Sequence, residues 1–436
     1  MESPAESIAG REALQASPLD GLLFEGVPLT QIARAHGTPT WVYGAGTLRT
    51  RFRRLRAAMP GVAIHYAVKA LDHLAILAIL AEEGAGADVV SAGELIRARR
   101  AGIPPDRIIF SGVGKTAPDL ALALDHDIAQ INVESAEELH LLSAIAAARG
   151  TRARVALRIN PDVDAGTHAK ISTGRAGDKF GIPIAQAASL YAEAAALPGI
   201  TAQGLAVHIG SQINRTAPFT AAYTRLADLV RQLRQTGHRV ATLDCGGGLA
   251  IPYNGEPQAR PEAWAAAIQS AFGGLDLHLA IEPGRWLVGP AGILLASVIR
   301  TRRHGQARPI VVLDAAMNDL ARPALYDSWH AILPVAPGHL TADAEPTDIV
   351  GPVCESSDIL ARARPLAPLP DNAFVAILDA GAYGAVMSST YNARPQAAQV
   401  LVDARAGQPA GFTLIRPRQT IETLWRDEIL PEPAGA

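Results

Sequence analysis

Cysteine is scarce: only Cys245 and Cys354 occur in 436 residues. Two thiols exclude a disulfide framework and fit a reducing compartment. An excess of charge of one sign is also missing. The net charge is −3 with no long basic run, which argues against nucleic acid or an anionic membrane as the main partner. No apolar stretch is long enough to span a bilayer; the longest, Trp286 to Ile299, is broken by Gly289, Pro290 and Gly292. The opening residues, MESPAESIAGREALQ, lack the basic-then-apolar pattern of a secretory signal. Metal-ligand spacings such as C-x2-C and H-E-x-x-H do not occur. These absences predict a cytoplasmic protein without a metal centre.

What is present is a globular composition, 49% hydrophobic and 19% charged, on a chain long enough for two cores. Short apolar, β-branched runs recur at 63–68, 87–90, 107–111, 128–133, 154–159, 204–209, 241–245 and 278–282. Alanine- and leucine-rich helical segments separate them, at 74–83, 92–101, 117–124, 136–149, 184–196 and 219–236. Strands alternating with helices pair in parallel through right-handed crossovers. Eight such units in about 250 residues predict a closed (β/α)8 barrel, with an open doubly wound sheet as the alternative. After Arg285 the rhythm changes to strands and turns, as in GILLASVIRTRR, PIVVLDAAM, FVAILDAGAYG and AAQVLVDA. The predicted architecture is an α/β chain: a segment 1–40 packing with the β domain, a barrel over 41–285, and a mostly β domain over 286–436.

Active sites of such barrels form at the C-terminal ends of the strands. Read in order, those ends carry Lys69, Asp88, Ser111, Asn132, Arg158 with Asn160, His208, Gly246 to Gly248, and Glu282 with Arg285. A polar strand end is ordinary by itself, and a lysine there usually snorkels to water. A lysine, a histidine, a glutamate and two glycine-containing loops converging on one mouth are not ordinary. The stretch DCGGGLAIP lets backbone N–H groups approach a phosphate, and EPGRW follows the next strand, where barrels commonly bind one. A lysine facing a phosphate cradle points to pyridoxal 5'-phosphate (PLP). Lys69 is then the Schiff-base lysine, Glu282 the acid beside the ring nitrogen, and His208 the flat group against the ring. In NDLARPALYDSWH, Arg322 and Tyr326 stand one helical turn apart, able to grip a carboxylate together. In GPVCESSD, Cys354 sits beside Glu355 and Asp358, a setting unlike an apolar core.

The motifs YAVKA, DVVSAGEL, FSGVGKT, RINPDVDAGTHAKISTG, KFGI, HIGSQI, GGGL, EPGR, RPALY, GPVCESSD, GAYG and YNARP span nearly the whole chain. Together they resemble the diaminopimelate decarboxylases, fold-type III PLP enzymes related to ornithine and arginine decarboxylases and more distantly to alanine racemase. The resemblance implies that Lys69 bonds the cofactor, Glu282 contacts the pyridine nitrogen and His208 lies on the ring face. It implies a phosphate site of Ser211, Gly246, Gly247, Gly248, the loop Glu282, Pro283, Gly284 and Arg285, and the Tyr383 hydroxyl, with Asp88 also at the cofactor. Arg285, Arg322 and Tyr326 would hold the distal carboxylate of the amino-acid substrate, Glu355 its distal ammonium, and Cys354 would donate the proton. Cys354 and Glu355 would enter from the neighbouring subunit of a homodimer with shared active sites. The implied reaction converts meso-2,6-diaminopimelate to L-lysine and CO2, the last step of lysine biosynthesis. Leu71, Ser357 and Cys245 depart from the usual pattern without removing a named group. The alternatives are a related decarboxylase of D-ornithine, lysine, arginine or carboxynorspermidine, a PLP racemase, and a PLP carrier without catalysis. A diamino acid with one carboxylate would not need Arg322, and the latter two readings leave the Cys354–Glu355 pair unexplained.

Overall fold

The computed structural model describes residues 4–11, 13–166, 173–175, 177–404 and 410–431. Residues 167–172 of the motif RINPDVDAGTHAKISTG lie outside the described residues. The chain divides into two units. One comprises Leu48–Pro252 and Glu256–Val288; the other comprises Met1–Thr47, Tyr253–Gly255 and Gly289–Ala436.

The first unit is a closed barrel. Its strands are β1 (Ala63–Ala67), β2 (Gly86–Val89), β3 (Ile108–Phe110) and β4 (Gln130–Val133). They continue with β5 (Ala153–Asn160), β6 (Ile200–Val207), β7 (Thr242–Asp244) and β8 (His278–Ile281). All eight pair in parallel, and Ala280 against Ala63 and Ile131 against Val155 are among the pairs that complete the ring. Each strand falls within or across one of the eight apolar runs. Strands β2, β3 and β4 are buried along their whole length, because helices cover the outside and side chains fill the inside. The helices begin where a side chain satisfies free N–H groups: Ser91 before Ala92–Arg100, Thr116 before Ala117–Asp125 and Ser135 before Ala136–Ala148. Helix Pro261–Phe272, not among the segments singled out from the sequence, packs beside helix Ala217–Gln235. Trp264 Nε1 donates to the Tyr223 hydroxyl at 2.8 Å, which donates to the Cys245 carbonyl at 3.0 Å. The unusual Cys245 is therefore a buried core residue whose thiol burial pushes well above the ordinary range.

The second unit is built on one long strand, Gly292–Arg302. It pairs antiparallel with Thr40–Gly44, Ile310–Leu313 and Phe374–Ile377. Thr40–Gly44, which the sequence reading placed at the start of the barrel, belongs to this sheet and also pairs in parallel with Ala398–Asp403. The correction has a simple cause: a short apolar run looks the same in either sheet, and only its partners distinguish the two. Residues in GLLFEGVPL form two hairpin strands, Gly21–Phe24 and Val27–Pro28. Leu22, Phe24 and Leu29 join Val42, Ile293, Leu295, Ala376 and Val400 in one buried core.

Candidate active site

Strand β1 ends at Ala67 and runs directly into one 3-10 turn, Val68–Ala70, which carries Lys69. The Tyr66 hydroxyl donates to the Leu71 carbonyl at 2.9 Å and holds the turn, so the departure at Leu71 leaves this support in place. The Ala67 N–H donates to the Pro283 carbonyl at 3.1 Å, joining the loop after β8 to the lysine turn. A Cβ on Gly284 would stand 3.2 Å from the Ala67 Cβ, so a larger residue would press on that turn. Lys69 Nζ lies 2.6 Å from Asp88 Oδ2 at the end of β2.

Lys69, Ser111, Asn132, Arg158, His208 and Glu282 line one cavity of about 380 Å³ at the C-terminal ends of the strands. Three carboxylates are buried at these strand ends, Asp88 at 0%, Asp244 at 2% and Glu282 at 7% exposure. Ser111 Oγ donates to Glu282 Oε1 at 3.3 Å, and Asn132 Nδ2 donates to Asp244 Oδ2 at 3.3 Å. Burial, followed by the charges of Asp244 and Asp88, pushes the Glu282 carboxyl well above the ordinary range. The Gly247 N–H donates to His208 Nδ1 at 3.1 Å. That bond places the ring proton on Nε2. Burial, then Arg158 and Lys69, hold His208 well below its usual range. His208 is thus a neutral, oriented, flat ring.

The glycine turn after β7 is forced by close approach. A Cβ on Gly247 would lie 2.1 Å from the Glu282 carbonyl oxygen, and Gly246 and Gly248 have φ of +69° and +109°. Ser211 Oγ accepts from Arg285 Nε at 3.3 Å and Nη2 at 3.2 Å. Glu134 bonds Arg158 Nη1 at 2.7 Å, the Gly112 N–H at 2.9 Å and the Gly181 N–H at 3.2 Å, tying three mouth loops together.

The β unit carries the other sequence-derived candidates. Arg322 and Tyr326 open and close the short helix Arg322–Tyr326. Arg322 is buried, donates to Ser328 Oγ at 3.1 Å, and lies 5.4 Å from the Tyr253 ring and 5.9 Å from the Tyr326 ring. A solvated surface helix does not describe it. Cys354 is exposed, with its N–H bonded to Asn392 Oδ1 at 2.7 Å. Glu355 accepts from the Ser357 and Tyr391 hydroxyls at 3.2 and 3.3 Å. Asp358 is buried and takes the Met317 and Val353 N–H groups, so it holds the loop rather than facing solvent. Tyr383 is half-buried with φ of +55°.

Two acids escaped the sequence reading. Asp244 precedes Cys245 in an apolar run, the same signal that marks Lys69. Glu94 follows Ser91 at cap spacing and reads as a helix start; in the structure it accepts the Val90 N–H at 2.8 Å, and burial pushes its carboxyl up to about 7.

The residues fit an aromatic phosphate aldehyde. Asp88 Oδ1 is buried without a hydrogen-bond partner among the described residues, and the buried Glu282 carboxyl lines the cavity. A family model described as pyridoxal-dependent decarboxylase, pyridoxal binding domain, matches residues 45–289. The chain is 48% identical to diaminopimelate decarboxylase of Zymomonas mobilis over 93% of this chain and 96% of that protein. It is 44% identical to the Pseudomonas aeruginosa enzyme of the same name over 94% of this chain and 98% of that protein. The crystal structure of diaminopimelate decarboxylase from Helicobacter pylori complexed with L-lysine superposes with a TM-score of 0.87 at 36% identity, covering 91% of this chain and 98% of that one. The chain belongs to the diaminopimelate decarboxylase family of pyridoxal-dependent decarboxylases, and its cofactor is pyridoxal 5'-phosphate.

Proposed function

We propose that the chain decarboxylates meso-2,6-diaminopimelate to L-lysine and CO2. The observation that carries this reading is the barrel cavity, which gathers an amine, a neutral imidazole and a buried carboxyl on the strand ends of a chain nearly half identical to such enzymes. Pyridoxal phosphate, when bound, supplies an electron-accepting ring that no side chain can provide. Lys69 would hold it at its aldehyde carbon, and Asp88, 2.6 Å from the lysine nitrogen, would take the ammonium proton. Glu282 would hold the proton at the ring nitrogen, and His208 would pack against the ring. Ser211, Gly246 to Gly248, Pro283, Gly284, Arg285 and the Tyr383 hydroxyl hold the phosphate.

Arg285, Arg322 and Tyr326 bind the substrate's distal carboxylate, and Glu355 binds its distal ammonium. Cys354 delivers a proton to the carbon that loses CO2. A substrate lacking the distal carboxylate forgoes charge-assisted bonds to arginine, at a cost of about 2–4 kcal/mol. The active form is a homodimer in which Cys354 and Glu355 of one copy serve the cofactor held by the other. Both cysteines are free thiols, which supports a cytoplasmic location. Among the described residues no helix is long and apolar enough to cross a membrane.

The test gives the PLP-loaded protein meso-diaminopimelate, L-lysine, D-ornithine and L-arginine separately and follows CO2 and products. CO2 with L-lysine from diaminopimelate alone is the expected result. CO2 from another amino acid only would overturn the substrate, and CO2 from none would overturn the decarboxylase.

A further inference from the structure

One buried carboxylate touches both the glycine turn and the ring-nitrogen acid. Asp244 closes strand β7. Its Oδ1 accepts the Gly246 N–H at 2.9 Å, at the start of the glycine turn. Its Oδ2 accepts Asn132 Nδ2 at 3.3 Å, and Asn132 also donates to Ser111 Oγ at 3.1 Å. Asn132 Nδ2 also reaches Glu282 Oε1 at 3.5 Å, so the two carboxyls share one donor. An asparagine would accept the Gly246 N–H equally well without burying a charge. Its amide nitrogen, however, would face the Asn132 Nδ2 donor; only a carboxylate accepts from both Gly246 and Asn132.

We propose that Asp244 is a positioning residue that aims the Glu282 carboxyl at the cofactor's ring nitrogen while fixing the Gly246 N–H of the phosphate turn. Both ends of the cofactor are then registered by one side chain. The inference rests on Glu282 facing the ring nitrogen. In the cofactor-free protein burial, then the neighbouring Asp244 and Asp88, favour the form of Glu282 that carries a proton. When the ring is in place, Glu282 passes that proton to the ring nitrogen and becomes a carboxylate; no other bond changes. The groups facing the pair are Lys69 and His65 from the first barrel strand and its turn, Asp88 from β2, Cys245 after β7, and Tyr223 from helix Ala217–Gln235. Burial pushes Cys245 and Tyr223 up and His65 down, so those three stay neutral near pH 7. Lys69, Asp88 and Asp244 remain as the charges that act on Glu282.

The experiment follows the pH midpoint of the bound cofactor's absorption band in the holoenzyme, in D244N, in E282Q and in the double variant. With Asp244 neutralised, Glu282 is a weaker base and the ring nitrogen loses its proton sooner. D244N is expected to lower the midpoint by at least one pH unit, and to add no further shift in the E282Q background. A wild-type midpoint in D244N, with a shifted one in E282Q, would overturn the role of Asp244 alone. An unshifted E282Q would overturn the placement of Glu282 itself. Should D244N fail to fold, N132S removes one donor from Asp244 and keeps its charge. That variant is expected to raise the midpoint, and an unchanged midpoint would overturn the inference.

Discussion

In the barrel unit, the ionisable residues assigned to chemistry stand at strand ends, and Asp88, Asp244 and Glu282 are almost wholly buried. They act on one another: burial, then Asp244 and Asp88, pushes Glu282 up, and burial, then Arg158 and Lys69, holds His208 down. In the β unit, Cys354 is exposed in a loop, and the Glu355 carboxylate beside it accepts from two hydroxyls. Arg322 is buried, yet it rests on a hydroxyl and two aromatic rings. The barrel therefore presents a coupled electrostatic device whose parts depend on one another. The β unit presents separate contacts that can be changed one at a time. The expected division of labour is cofactor chemistry from the barrel, and proton delivery and substrate choice from the β unit.

The largest effect expected from breaking this comparison is at Lys69. Lys69→Ala should lower kcat at least about a thousandfold and abolish the absorbance of covalently held cofactor. Persistence of that band would assign the cofactor to another lysine. Next comes Cys354→Ala in the β unit. It should lower kcat by about 10²–10³ with unchanged cofactor affinity, and steady-state rates beside a PLP titration separate the two. A loss of cofactor affinity instead would place Cys354 in the coupled set.

The smallest effect concerns Glu94. Its carboxyl sits at about 7 in the fold, above the ordinary value of 4.5, so folding favours its protonated form. Its contribution to stability is full below pH 4.5 and is lost as the pH rises through 7, by about 3 kcal/mol. Thermal melts of the cofactor-free protein at pH 5 and pH 8 should fall less steeply with pH in Glu94→Gln than in the natural chain. Parallel pH profiles would show that Glu94 is not buried as described.

The barrel was legible because parallel strands covered on both faces must be continuous apolar runs, and caps such as Ser91, Thr116 and Ser135 mark the helices between them. Strand Ile359–Leu366 was not legible: its pairing slips, Ala363 takes a φ of +50°, and buried residues follow no alternation. Lys69, His208 and Glu282 stood out as ionisable groups ending apolar runs. Asp244 gave the same signal but was hidden beside three glycines. Glu94 was hidden because an acid three residues after a serine is an ordinary helix start. No pattern in the sequence reports that a carboxyl is buried against other carboxyls; that property belongs to the closed ring.

The claim that the β unit selects the substrate is tested most directly by kcat/KM for meso-diaminopimelate and for L-lysine, measured in the natural chain and in Arg322→Ala. The account expects KM for diaminopimelate to rise about 30-fold or more, and the preference over L-lysine to fall by a similar factor. The bound-cofactor spectrum should be unchanged. An unaltered preference would contradict it.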